Sequence, residues 1–485
     1  MGLLTWFKGV ISKMFAAEAE KAFGVDIVTN TMMDIKIAEW FDTYQGHPRW
    51  LSGEDRIRTI NMANTICEET ARLTNLALAI KIDGNERADW LKKMVDATIM
   101  PRLRDWIEYA CATGTVIFKP NATGVDLFMP GSFRIVGIDN GLINDIVFQE
   151  QYTEGKDNNK TYYTKLERHS YMHADVALHE GEEHKEVVYY HVENKAFVSH
   201  SERSIGKEID LLDTKWANLQ PDVYITKANN EKLNAMLFGV FKMPSANDID
   251  VNSPMGTAIF SGAMEELRDL DIAYSRNAGE IADSESIILA DDRLMSMAGN
   301  KIGAKPTVKL PHYVHNVYGA DSKEFYQEID RNLKTEQRIV GINNQLSFIG
   351  YKCGYSNGYF VFNQKTGMVT ATQVESDDRR TIQTIKDIRD RLKVALEDTI
   401  YALSVFADLY DLSPVGEYET SYSFGDITYN WEEDKQHHYE LAKQGHYPWE
   451  EYYVKFLNYS REEARKLLKM AQKENKQNGL FGEEE

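Results

Sequence analysis

Gly354-Tyr355-Ser356-Asn357-Gly358 spells G-x-S-x-G, the turn that lifts a nucleophilic serine above a sheet edge in serine hydrolases. That turn needs a strand before it and a helix after it. Here "YFVFN" follows and reads as a strand, so the stretch is expected to be a flexible glycine-rich connector. "HEGEEH" sets His179 and His184 five apart around Gly181, whereas two zinc ligands share a helix face at i and i+4. His169 and His173 have that spacing, but no Glu follows the first and their surroundings alternate like a strand. These histidines are expected to be solvated. "SIGKEID" holds Gly206-Lys207 without the upstream glycine or the following Ser/Thr of a phosphate loop, so ATP hydrolysis is not expected. Cys67, Cys111 and Cys353 lack zinc spacing and read as free thiols in a reducing cytosol. No metal site, no cofactor and no catalytic residue is expected; a serine hydrolase using Ser356 stands as an alternative.

The elements that position these residues belong to a long, acidic chain. Its 485 residues, 43% of them hydrophobic and 11% aromatic, suffice for two or more cores. Lys and Arg number 55 against 75 Asp and Glu, a net charge of -20. That excess argues against tight binding of nucleic acid, whose affinity comes from neutralising phosphates. With no basic helix, a DNA-binding regulator is disfavoured as well. A surface past which DNA slides remains compatible with it. "MGLLTWFKGVISKMF" reads as an amphipathic helix or arm, not a signal peptide. No apolar run approaches the ~18 residues of a membrane span. The expectation is a soluble, cytoplasmic protein without membrane contact.

Along the chain, Ile35 to Cys111 reads as helical, with "ICEETARLTNLALAI" and "RLRDWIEYACATG" the clearest pieces. The period then switches to strands in "TVIFKP", "VDLFMP", "FRIVGID" and "LINDIVFQEQY", with Asn140-Gly141 as a tight hairpin turn. "TYYTKLERHSY" and "EVVYYHVENKAFVSH" extend the β-rich region to about His200. Ser253-Pro254 is expected to restart helix, with Phe260, Met264, Leu267, Leu270, Tyr274, Ala278 and Ile281 on one face. Short strands and breakers fill Ile287 to Asp321. A second helix is expected to open at Asp321 and Glu324 and to carry Phe325, Ile329, Leu333, Ile339 or Val340, and Leu346 at helical spacing. Strands near "TSYSFGDITYNW" and a helix at "REEARKLLKMAQKENK" close the chain.

The longest element is "VTATQVESDDRRTIQTIKDIRDRLKVALEDTIYALSVF". Thr370 with Gln373, and Thr372 with Glu375, form overlapping capping boxes. Ile382, Ile385, Ile388, Leu392, Ala395, Ile400, Leu403 and Phe406 then recur near a 3.6 period. A helix from Thr370 to Leu409 is about 60 Å long at ~1.5 Å per residue. Its other faces carry mixed charges.

In order and in phrase, the chain resembles the portal proteins of tailed bacteriophages, the siphophage-type head-to-tail connectors. "SPMGTAIFSGAMEELRDLDIAYSRNAGEIADSESIIL" resembles the family segment entering its stem. "INNQLSFIGYKCGYSNGYFVFNQKTGMVTATQVESDDRRTIQTIKDIRDRLKVAL" resembles its tunnel loop and long kinked helix. "GSFRIVGIDNGLINDIVFQEQY" is similar to its β-rich wing. The resemblance implies an α+β portal fold with an α/β wing, a two-helix stem, a small β-containing clip, a long wing helix and a helical crown. Residues 1–252 would be N-terminal arm and wing, and 253–286 the first stem helix. The clip would follow at 287–321, the second stem helix at 322–346, and a connector with the tunnel loop at 347–369. The long wing helix would span 370–412, and 413–485 would be mainly crown and C-terminal tail.

The same resemblance implies a homo-oligomeric ring, typically of twelve subunits, at one capsid vertex of the virion, assembled in the host cytoplasm. Double-stranded DNA would pass through its channel in packaging and ejection, without sequence readout. The implied partners are the terminase packaging motor, a head-completion or adaptor protein, and the major capsid and scaffolding proteins. Glu265, Glu266, Asp269, Asp271, Lys352 and Lys365 would line the channel. Asp378, Arg379, Arg380, Arg389 and Arg391 would meet neighbouring subunits, and Leu310, Tyr313 and Tyr318 would dock partners at the clip. A capsid-associated scaffold built on one long helix is the structural alternative, but it would not need the β-rich stretch at 115–200.

Overall fold

The computed structural model describes residues 10–27, 31–51, 57–121, 123–155, 160–176, 185–202, 204–225, 233, 235–282, 287–291, 314–317, 326–329, 334–362, 371–425, 431–457, 459 and 461–478. The chain divides into two compact units, 1–423 and 424–485. The architecture is α+β.

The larger unit opens with α1 (Val10–Phe23), α2 (Thr31–Tyr44), α3 (Met62–Thr74), α4 (Glu86–Thr98) and α5 (Leu103–Thr113), with β1 (Ala79–Gly84) after α3. The expected helix through "LALAI" stops earlier, at Thr74. Ala77 takes a left-handed φ of 48°, and Ile80 and Ile82 then alternate inward as strand residues. β1 pairs antiparallel with β14 (Tyr418–Ser423), which no periodicity within either segment announces.

β2 (Thr115–Asn121) and β3 (Gly124–Phe128) form a hairpin that β10 (Gly239–Lys242) extends. β4 (Phe133–Asp139), β5 (Leu142–Glu154), β6 (Thr161–Val176), β7 (Lys185–Ser199) and β8 (Lys207–Ile209) run as a meander, and β9 (Asp222–Ile225) also pairs with β7. Asn140 and Gly141 have φ of 50° and 77°, the two positive values a tight β4–β5 hairpin turn requires. Phe15, Ala16 and Ala19 of α1 pack on this sheet against Val147, Leu166 and Phe197.

Helix α6 (Met264–Ala282) starts ten residues later than Ser253-Pro254 suggested. Ser253 Oγ instead accepts from Met255 N, and the chain runs extended along the end of α5. Gly256 N donates to Thr115 Oγ1 and Ile259 N to the Cys111 carbonyl. A Cβ on Gly114, at φ 84°, would strike Gly256. Tertiary bonds thus outcompete a good local helix start.

Three short strands follow, β11 (Ile287–Asp291), β12 (Val314–Val317) and β13 (Tyr326–Ile329), with β11 parallel to β12 and antiparallel to β13. The stretch around Phe325–Ile329, expected in a helix, is therefore strand at 326–329, and α7 spans Thr335–Lys352. The 39-residue α8 (Ala371–Leu409) matches its expected bounds to one residue. Ile385, Ile388, Leu392, Ala395, Ile400 and Leu403 are all buried, as their period predicts. α8 lies on β10: a Cβ at Gly239 would collide with the Ala395 carbonyl and Thr399.

The smaller unit holds α9 (Trp431–Lys443), α10 (Trp449–Leu457) and α11 (Arg461–Asn478). Tyr439 and Tyr452 each pack edge to face with Trp449, Phe456 lies tilted against Tyr452, and Arg465 bonds Glu450 at 2.9 Å. No helix among the described residues is long and apolar enough to cross a membrane.

Candidate functional site

Helices α6 and α7 form an antiparallel hairpin whose distal ends lead into the β11–β13 sheet. Ion pairs fix its register at both ends. Lys352 Nζ lies 2.5 Å from Glu266, Glu280 pairs with Arg338, and Lys334 N donates to Glu280 at 3.1 Å. Exposed ion pairs are screened by water and salt, so these set alignment more than stability. Glu265 and Asp269 are exposed on the outer side of α6.

Asp271 is different, because the fold itself uses its carboxylate. Only 3% exposed, it accepts from Trp50 Nε1 at 2.9 Å and from Ile60 N at 3.0 Å. Burial pushes its pKa up, and those bonds counter the shift only in part. Lys365, Leu310, Tyr313 and Tyr318 lie outside the described residues.

Helix α7 is apolar on two opposite faces. Ile342, Leu346 and Ile349 point inward and are buried. Val340, Phe348 and Tyr351 lie on the other side at helical spacing, and they are 59%, 61% and 54% exposed. Phe362, 66% exposed, is tied to α7 by its N–H bond to Asn343. A cluster of large apolar side chains on one exposed helix face is a mark of an interaction surface.

The glycine-rich turn after α7 is packed, contrary to the flexible connector expected there. Ser356 is buried; its N–H donates to Thr381 Oγ1 at 2.9 Å and the two hydroxyls bond at 3.0 Å. Thr384 Oγ1 donates to the Gly354 carbonyl at 2.7 Å, and Tyr355 shares a hydrogen bond with Thr70 at 2.6 Å. The turn is a staple holding α7 to the first third of α8. Its serine serves the fold.

Of the α8 charges, Arg379, Arg380 and Arg391 are exposed. Arg380 lies over the Tyr351 ring at 3.9 Å and donates to its carbonyl. The side chain of Asp378 lies outside the described residues. Arg389 is buried and points back into its own chain, at the carbonyls of Leu73 and Thr74.

The six-stranded sheet, with Lys119 of β2, holds a buried ionic network that sequence reading missed. Glu167 accepts from Lys119 at 2.8 Å, Lys165 at 2.7 Å and His169 Nε2 at 2.7 Å, and Lys165 also reaches Glu150. Ionised Glu167 can only accept, so neutral His169 carries its proton on Nε2 and its Nδ1 accepts from Tyr190 OH at 2.7 Å, while Tyr190 OH accepts from Leu237 N. Burial would raise the Glu167 carboxyl, but Lys119 and Lys165 hold it well below the usual range. Burial also lowers His169 despite its bond to Glu167. His169 is thus a core residue and not the solvated one expected; Lys165 and Glu167, on the same strand face, are charged, so nothing local announced its burial. His173's side chain and residues 177–184, with His179 and His184, lie outside the described residues.

Cys67, Cys111 and Cys353 are free and buried, as their spacing suggested. Burial, the largest influence, pushes the Cys353 thiol up to about 12, so it stays protonated and unreactive.

No protein-family model matches the chain, and no curated protein matches its sequence. A solved structure described as "Virion of native gene transfer agent (GTA) particle" contains a chain that is 10% identical, with a TM-score of 0.42 over 92% of this chain and 98% of that one.

Proposed function

We propose that this protein is a portal subunit of a phage-type virion. Copies associate, twelve in the simplest reading, into a ring at one capsid vertex, and double-stranded DNA passes through the central channel. The observation that carries this reading is the α6–α7 hairpin. It leads into a small sheet, it is followed by a 39-residue girder helix, and it leaves Val340, Phe348 and Tyr351 in water on a lone subunit. In a ring, a neighbouring copy covers that face.

The charges fit a channel that does not grip its cargo. Exposed Glu265 and Asp269, repeated around the ring, repel phosphates and keep DNA moving. Glu266 and Lys352 neutralise one another, and Lys365 supplies weak, screened backbone contacts without sequence readout. Asp271 is left out of this set because Trp50 and Ile60 already hold it. Arg379, Arg380 and Arg391 meet the adjacent subunit, whereas Arg389 braces its own. The segment with Leu310, Tyr313 and Tyr318 docks the packaging motor and the head-completion protein; capsid and scaffolding proteins surround the wing.

The subunit has no catalytic role in this reading, and the commitment of Ser356 to Thr381 counts against a hydrolase. The six-stranded sheet counts against a scaffold of helices. Negative-stain images of the purified protein, alone and with its capsid and scaffolding proteins, test the proposal. Class averages with a central hole support it; their absence in both preparations contradicts it.

A further inference from the structure

Three metal-ligating side chains converge where β9 pairs with β7. His191 and Glu193 are two residues apart on β7 and share one face of it. Asp222 stands opposite Glu193 in the ladder and projects from that same face. His191 Nε2 is 3.1 Å from Asp222 Oδ1, and His191 Nδ1 is 3.8 Å from Glu193 Oε2. One ligand atom from each residue lies within 4.8 Å of the other two. Bonds of about 2.1 Å to a first-row divalent ion hold adjacent ligand atoms about 3.0–3.4 Å apart. The His191 Nε2–Asp222 Oδ1 pair already has that separation; the 3.8 Å contact of Glu193 is to the other ring nitrogen, so Glu193 swings toward the Nε2 side to complete the site.

Charge and access point the same way. Asp145, Glu193 and Asp222 bring three carboxylates, and Arg168 stands among them as a cation. Arg168 holds Asp145 through two bonds, 3.0 and 2.6 Å, and touches Glu193 through one oxygen at 3.1 Å. The Glu193 oxygen nearest His191, Oε2, is the one Arg168 holds, so a metal shares Oε2 with Arg168 or takes Oε1 after the carboxylate rotates. Tyr224 stacks on the His191 ring at 4.3 Å and 7°, which fixes the imidazole plane. Asp222 is 57% exposed and leaves an entry path.

We propose that His191, Glu193 and Asp222 bind a divalent transition-metal ion that fastens β9 to β7. One imidazole nitrogen and two carboxylate oxygens suit Zn²⁺ or Mn²⁺. β9 is four residues long and makes a short ladder, so a metal bridge adds a fastening that its backbone bonds alone do not give. The inference is independent of ring formation.

The test is calorimetric titration of the full chain, first stripped with chelator, with ZnCl₂ and separately with MnCl₂. One saturable site per chain is expected for at least one ion. Asp222→Asn changes an exposed side chain and leaves folding intact; it and His191→Ala should each weaken binding by about tenfold or more. A His179→Ala/His184→Ala double variant controls for the other histidines and should retain the site. No saturable binding of either ion, or binding undiminished in both Asp222→Asn and His191→Ala, overturns the proposal.

Discussion

Arg389 Nη2 donates to the carbonyl oxygen of Leu73 at 2.7 Å: a cation from the middle of α8 closes the C-terminus of α3. Its Nε adds a bond to the Thr74 carbonyl at 3.2 Å. The last carbonyls of a helix have no partner within it and carry the negative end of its dipole, so a buried guanidinium satisfies both needs. Arg87 of α4 ties the end of α8 to the loop that follows it. It donates to the carbonyls of Ser404 at 2.6 Å, Ser413 at 2.8 Å and Pro414 at 2.9 Å, and pairs with Asp408 at 2.5 Å. Arg389 of the long helix thus caps α3, and Arg87 of α4 anchors the long helix's own end.

Arg389→Met should keep the volume of the stem and lose the cap. Hydrogen bonds to charged groups are worth about 1.5–3 kcal/mol, so a loss of about 2–3 kcal/mol is expected. A fall in the urea midpoint of the isolated subunit checks it; an unchanged midpoint would show that water replaces the cap.

Arg87→Ala and Asp408→Asn separate the carbonyl bonds from the ion pair. Arg87 is 1% exposed and Asp408 49%. The first change should cost about 3 kcal/mol or more, because it strands buried carbonyls. The second should cost less than about 1 kcal/mol, as exposed pairs do. Equal losses from both would assign the effect to the ion pair.

Asp398, on the inner part of α8, gives a pH dependence of definite sign. Burial, with a smaller push from Glu397, raises its pKa to about 6 from 3.8. The folded state therefore holds a proton that the unfolded chain has released, and its stabilising effect fades as pH rises from about 4 to about 6. Asp398→Asn should raise the melting midpoint at pH 7 and lose that advantage near pH 4. A gain independent of pH would mean that the carboxyl is not the titrating group.

Gly239→Ala should destabilise through collision with the Ala395 carbonyl and Thr399. Overpacking at a rigid contact costs about 1–3 kcal/mol. A neutral result would show that α8 and β10 can separate freely.

Local signals were legible wherever the chain decides alone. The 3.6 period from Ile385 to Leu403 marked the buried face of α8, and Asn140-Gly141 marked a turn that needs two positive φ values. Long-range partners overrode local signals elsewhere. Ser253-Pro254 looks like a helix start, but Thr115 and Cys111 bind the following backbone first. Phe325 to Ile329 fits a helical stripe, but the ladder to β11 makes residues 326–329 a strand. Asp271 and Arg389 looked like surface charges because nothing adjacent in sequence reveals Trp50 or Leu73 as their partners. The second apolar face of α7 was legible only in part: Val340 reads onto the same stripe as Leu346, but its helical spacing to Phe348 and Tyr351 sets it on the opposite, exposed side.

The central claim is self-association through that face. The most direct measurement is the solution mass, by light scattering, of the wild-type chain and of a Phe348→Asp/Tyr351→Asp variant. Both changes lie on exposed side chains, so the subunit should still fold. The account predicts a wild-type ring near twelve times 55.6 kDa, alone or once capsid and scaffolding proteins are added, and a variant that stays a monomer. A wild-type chain that remains a monomer or dimer under both conditions would contradict it.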